Sequence, residues 1–193
     1  LAALTDWHHQ RFDVDDEVPG PDDETPGPLL VFNQYQAVDV TVHNEMERST
    51  GVHWHGLELD AWADGVPDWS ASDGRMSPVI EPGESFTYRL SLMRPGTFIY
   101  HSHMNDVVQL SGGLYGPLIV LPPGETFDGE HDHPMVFGWR DPVPRSKEDI
   151  ELNGQGELPE ATTSVGETHR FRVINIAPAG IISAWLMRDG ESL

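Results

Sequence analysis

The shortness of the apolar runs limits the fold of this chain more than any other feature. β-Type stretches near residues 29–32, 37–44, 50–58, 85–92, 97–103 and 114–121 are each cut off by turns of proline, glycine and aspartate. That punctuation belongs to short strands and not to helices, and it predicts a sandwich or barrel. After Leu121-Pro122-Pro123-Gly124 the chain starts again, with Met135 to Trp139, Leu152-Asn153-Gly154 and His169 to Ile176. A length of 193 residues suits one or two domains. Residues 1–125 therefore read as one complete β-domain and 126–193 as part of a second.

Two of these strands end in histidine pairs, His53-Trp54-His55 and His101-Ser102-His103. Ten histidines in the chain would give about half of one H-x-H triplet by chance, and there are three. In a strand alternate side chains share a face, so each pair sets two rings roughly 6.5 to 7 Å apart at Cβ. That spacing suits neighbouring metals or a cluster better than a chelate on one small ion. Two strands ending this way can converge on one site.

The succession of motifs resembles the multicopper oxidases, which include the laccases, over nearly the whole chain. It runs from Pro28-Leu29-Leu30 and the strand to Asn44, through Val52-His53-Trp54-His55-Gly56-Leu57 and Ala63-Asp64-Gly65-Val66, to Pro82-Gly83-Glu84 and Phe86 to Leu90. Pro95 to His103, Gln109 and Gly113 to Val120 complete a segment similar to the family's first cupredoxin domain. The part after Gly124 resembles the start of its middle cupredoxin domain. The fold implied is all-β: a cupredoxin-like Greek-key sandwich followed by an incomplete second one.

The resemblance implies three coppers held by eight histidines, four from the first domain and four from the last, and reduction of dioxygen to water there. His53 would bind the type 2 copper, while His55, His101 and His103 would bind the type 3 pair. Imidazole suits copper, and each ring's second nitrogen should be held by a carbonyl, carboxylate or water. Asp64 matches an acidic position that orients water and passes protons near the type 2 copper. Its plain reading is a turn residue before Gly65, and both readings stand.

A blue type 1 copper needs a cysteine thiolate with two histidines, and this chain has no cysteine. The family's later histidine motifs are also lacking, so half of the cluster ligands are present. The expectation is an incomplete chain, inactive alone, whose remaining ligands come from a missing C-terminal portion, a second chain or a homo-oligomer. The electron donor would be a phenol, an aromatic amine or a low-valent metal ion. The competing readings are a stand-alone module holding copper or zinc without turnover, and an interaction fragment without metal.

Thirty-two acidic residues against eleven basic ones, Lys147 being the single lysine, give a net charge of −21. Such a surface repels nucleic acid and anionic membrane, and high salt would screen its self-repulsion. It therefore suits a salt-adapted source or simply solvated loops, such as Asp13 to Glu17 and Asp22 to Glu24. No run of 18 apolar residues could span a bilayer, and no signal peptide opens the sequence. The resemblance implies a secreted or periplasmic location.

The remaining candidates have plainer readings. His131-Asp132-His133, among Asp, Glu, Gly and Pro, reads as an exposed linker. His8 and His9 lie near the start, where order is lowest. His43 reads as structural and His169 as solvent-facing. Trp54 should point away from the histidine face into the core, and Met104 away from the copper. Trp62 and Trp69 flank Asp64 and read as packing residues, with a channel wall as the alternative.

Overall fold

Alternation of apolar and polar residues builds the first sheet. In β4 (Ala37–Asn44) Val38, Val40 and Val42 turn inward, and they lie opposite Leu90, Tyr88 and Phe86 of the antiparallel β8 (Ser85–Ser91). The outward residues pair just as regularly. Arg89 grips Asp39 with two bonds of 2.8 and 2.9 Å, Thr41 bonds Thr87, and His43 Nδ1 lies 2.7 Å from Ser85 Oγ. His43 is thus a structural residue. β1 (Ala2–Thr5) and β2 (Gln10–Asp13) extend the sheet to the order β2-β1-β4-β8.

The computed structural model describes residues 2–5, 10–13, 26–139, 150–155, 163–177, 181–183, 185, 187–188 and 191–192. His8, His9 and the acidic stretches after Asp13 and at Asp22 to Glu24 lie outside the described residues.

The facing sheet contains β3 (Leu30–Asn33), β5 (Val52–His55), β9 (Gly96–Ser102) and β10 (Tyr115–Leu121), in the order β3-β10-β9-β5. Its inner side contributes Trp54, Phe98, Tyr100, Leu118 and Val120 to one core with Val42, Tyr88 and Leu90. Trp54 sits at the centre, its ring 5.6 Å from Tyr88 and 5.8 Å from Tyr100. Truncating an aromatic so enclosed costs on the order of 3–5 kcal/mol, so this contact anchors the strand that carries the first histidine pair. The six expected strands are all present. β5 is shorter than the stretch 50–58 because Gly56, at φ 86°, turns the chain away after His55.

β10 is buried along its whole length because both of its faces are covered. One faces the sandwich core; the other receives β11 (Asp132–Trp139), where Leu110, Tyr115, Val136 and Ile174 pack together. A Cβ on Gly138 would overlap the Tyr115 hydroxyl, so glycine permits this close approach. β11 lies between β12 (Ile150–Leu152) and a parallel β13 (Arg170–Asn175). β6 (Ala71–Ser72) and β7 (Arg75–Met76) form a small hairpin, and β14 (Met187–Arg188) pairs with β15 (Glu191–Ser192). Two short helices, α1 (Ala61–Asp64) and α2 (Asp106–Ser111), follow the two histidine pairs among the described residues.

The linker reading of residues 131–133 is corrected by this sheet. Asp132 begins β11 and is 8% exposed, holding Arg172 of β13 through two bonds of 2.6 Å. Arg172 also donates to Thr97 Oγ1 of β9 at 2.8 Å, joining the β12-β11-β13 sheet to the sandwich. Polar, turn-rich composition around Asp132 hid a buried ion pair whose partner lies far along the chain. Breaking one side of such a pair strands the other charge, so Asp132→Ala should destabilise by about 3–5 kcal/mol, measurable by urea unfolding.

Candidate metal centre

The register of β5 on β9 places the histidines. His53 lies directly opposite His101, with Val52 opposite Ser102 and Trp54 opposite Tyr100. Alternation then puts His53, His55, His101 and His103 on one face and Val52, Trp54, Tyr100 and Ser102 on the core face. His103 continues β9 past its last ladder pair, and its N–H donates to Gly51 O at 3.0 Å. The His53 ring centroid lies 5.0 Å from that of His55, 5.3 Å from His101 and 5.6 Å from His103. One donor atom from each of His53, His55 and His101 falls within 4.8 Å of the others.

Ring orientation is fixed by the surrounding backbone. His53 Nδ1 donates to Asp64 O at 2.8 Å, and His101 Nδ1 to Ser102 O at 2.8 Å, so that Nε2 of each ring is the nitrogen left to ligate. His55 presents Nδ1 instead, 3.3 Å from His101 Nε2. His103 Nδ1 stands 3.9 Å from Asp106 Oδ1, too long for a hydrogen bond. A set of imidazoles converging with second nitrogens held by carbonyls fits copper or zinc.

Burial is graded across the group. His101 is 7% exposed, His53 is half-buried and His55 is open to solvent. Burial depresses the His101 pKa to about 4, opposed by its bond to Ser102 O and reinforced by the neighbouring rings. His53 is lowered by burial too, against the pull of the Asp64 carbonyl and carboxylate. Both are therefore neutral at neutral pH, the form that ligates metal. Beside His55 a cleft of about 300 Å³ opens between Arg94, Phe98 and Val173.

A single turn holds Asp64 in reach. α1 ends at Gly65, whose φ of 90° swings the Asp64 carbonyl onto His53. The Asp64 carboxylate lies 3.4 Å from His53 Nδ1 and accepts from Ser70 Oγ at 3.1 Å. Asp64 is thus both the turn residue and a carboxylate beside the face, and the two readings coexist. Trp62 is buried beneath Arg75 and against Phe86, as a packing residue, whereas Trp69 is 83% exposed and packs little. Trp54 faces the core as expected.

Sequence reasoning gave no role to the residues that brace both pairs from behind. Gln109, 2% exposed on α2, accepts from Thr50 Oγ1 at 3.0 Å and from Ser102 Oγ, and donates to Ser49 O at 2.9 Å. One amide thereby ties the lead-in of the first pair to the middle of the second. Asn44, 1% exposed, fixes the preceding loop through Arg48 O, Ile80 O and Met46 N. Both fall within the motif succession, but no local pattern in the sequence showed what either would bond.

A family profile described as multicopper oxidase matches residues 5–125. Laccase ustL of Ustilaginoidea virens is 43% identical over 105 residues, 53% of this chain and 15% of that protein. The blue copper oxidase from Nitrosomonas europaea superposes with a TM-score of 0.65 at 25% identity, over 80% of this chain and 52% of that one. Lac15 from a marine microbial metagenome gives 0.59 at 36% identity, over 79% and 40%. The chain thus spans roughly half the length of the first of these solved structures and far less of the fungal laccase. The sandwich is a cupredoxin fold, as the motif succession implies.

Two outcomes test this geometry. A Cβ on Gly65 would fall on the Val52 carbonyl oxygen, so Gly65→Ala should cost more than about 2 kcal/mol in unfolding and weaken metal binding. The second outcome concerns pH. The folded His101 value, about 4, lies below the usual 6.5, so its contribution is full above pH 6.5 and lost as pH falls towards 4. In chelator-treated protein the thermal midpoint should drop across that window, with a shallower drop in His101→Gln.

Proposed function

The chain belongs to the multicopper oxidase family, and on that premise we propose that its histidine face is half of the copper cluster of a dioxygen-reducing oxidase. His53 serves the type 2 position, and His55, His101 and His103 serve the type 3 pair. The observation that carries this reading is the common face. Four imidazoles stand on it, and carbonyls hold Nδ1 of His53 and His101 so that Nε2 is the nitrogen each has left to ligate. Bound copper would supply the one-electron chemistry that couples a donor to dioxygen. The remaining four ligands and the type 1 centre, which needs a thiolate this sequence lacks, come from further chain or a partner.

The chain's own residues do the positioning and the proton work. Asp64 stays next to the solvent edge of His53, with Ser70 donating to Oδ2. It can therefore hold a water and hand over protons consumed when dioxygen becomes water. Thr50, Ser102 and Gln109 keep the two pairs in register. The donor is a phenol, an aromatic amine or a low-valent metal ion, and the resemblance to the family supports a secreted or periplasmic protein.

One observation favours a second reading, a metal-binding module without turnover. The donors of His53, His55 and His101 sit close enough for a single ion, which the H-x-H spacing by itself did not suggest. Native mass spectrometry of copper-loaded protein separates the two. More than one copper, together with a companion polypeptide or added chain, supports the oxidase. A single ion on this chain alone supports the module. In the assembled oxidase, Asp64→Asn should keep its copper content and slow dioxygen uptake by about a hundredfold.

A further inference from the structure

The β12-β11-β13 sheet carries a histidine group that the copper reading leaves unused. β11 and β13 run parallel with Asp132 opposite Arg170 and His133 opposite Phe171. One step earlier His131 and His169 come side by side, and Arg170 N donates to His131 O at 2.8 Å. The two-residue period then aligns His131 and His133 on one side, beside Glu167, His169 and Phe171. Asp132, Arg170 and Arg172 take the other side with their ion pairs.

The rings are ordered as metal ligands are. His131 Nδ1 donates to Asp128 Oδ2 at 2.8 Å, and His169 Nδ1 lies 2.9 Å from His133 Nε2. His133 is itself stacked at 5.1 Å on Phe171. A ligating imidazole commonly has its second nitrogen held in this way, and here the remaining nitrogen of both His131 and His169 is Nε2, which in His169 faces Glu167. His169 Nε2 stands 3.3 Å from Glu167 Oε2, close to the edge of about 3.4 Å in a tetrahedron with bonds of about 2.1 Å. Donor atoms of His131, Glu167 and His169 all lie within 4.8 Å of one another. His169 is only 10% exposed at its side chain, so its expected solvent-facing position is corrected.

We propose that His131, His169 and Glu167 bind one divalent transition-metal ion of the imidazole-seeking class, zinc or copper, with Asp128 and His133 orienting the two rings. A hydrogen-bonded chain of Glu167, His169 and His133, with a separate His131–Asp128 pair, accounts for the individual contacts but not for the convergence of donor atoms from His131, Glu167 and His169. The ion clips together the leading ends of β11 and β13, so it stabilises their sheet. The site is independent of the histidine face on β5 and β9, and it stands whether or not that face belongs to an oxidase.

The test is equilibrium dialysis of the full chain against zinc, and separately against copper, with bound metal counted by mass spectrometry. The parent should hold one more equivalent than His131→Gln/Glu167→Gln, and cobalt in the parent should give a tetrahedral visible spectrum that the double variant loses. Both substitutions sit at exposed side chains, and matching circular dichroism shows that the fold is intact. The Glu167→Gln single variant gives an independent count, expected to show at least a tenfold weaker affinity. Equal stoichiometry and affinity in parent and variants overturn the proposal, and which metal gives the difference decides between zinc and copper.

Discussion

The antiparallel register of β5 on β9 is the constraint on which the functional reading rests. It sets His53 against His101 and, by the two-residue period, collects four imidazoles on one face while Trp54 and Tyr100 go to the other. A slip of one residue would exchange the faces, burying the histidines and exposing the aromatics. The cost of exposing those aromatics is what pins the site. Core packing and the placement of the histidine face are therefore one decision, made by a few large rings in the middle of the sandwich.

Around that register the chain adds a layer of backbone and side-chain bonds that aims the rings. The Asp64 carbonyl reaches His53 because Gly65 permits a left-handed turn, and the Ser102 carbonyl reaches His101 along the strand itself. Gln109 holds Thr50 and Ser102 from the core side. Each interaction is worth about 1 kcal/mol on its own, yet together they fix orientation before any metal arrives. Burial keeps His101 and His53 neutral, so a metal need displace no proton at neutral pH.

The strands and the histidine face were legible because both are written locally, as alternation and turn residues. The motif succession likewise led to the cupredoxin fold. What escaped depends on contacts distant in sequence. β1 and β2 have no strong alternation, and α1 and α2, at four and six residues, are too short to show a helical period. Asp132 reads as a linker residue until Arg172 is placed beside it, and His131 and His169 meet only through a parallel pairing that no local pattern announces. Trp69 shows the opposite failure: an aromatic read as packing that stands in solvent.

Anomalous diffraction at the copper edge, from crystals of copper-loaded protein, tests the central claim most directly. Peaks within bonding distance of His53 Nε2 and His101 Nε2, on the face shared with His55 and His103, are the predicted result. Copper bound only elsewhere, with that face empty and its rings turned away, would contradict the account.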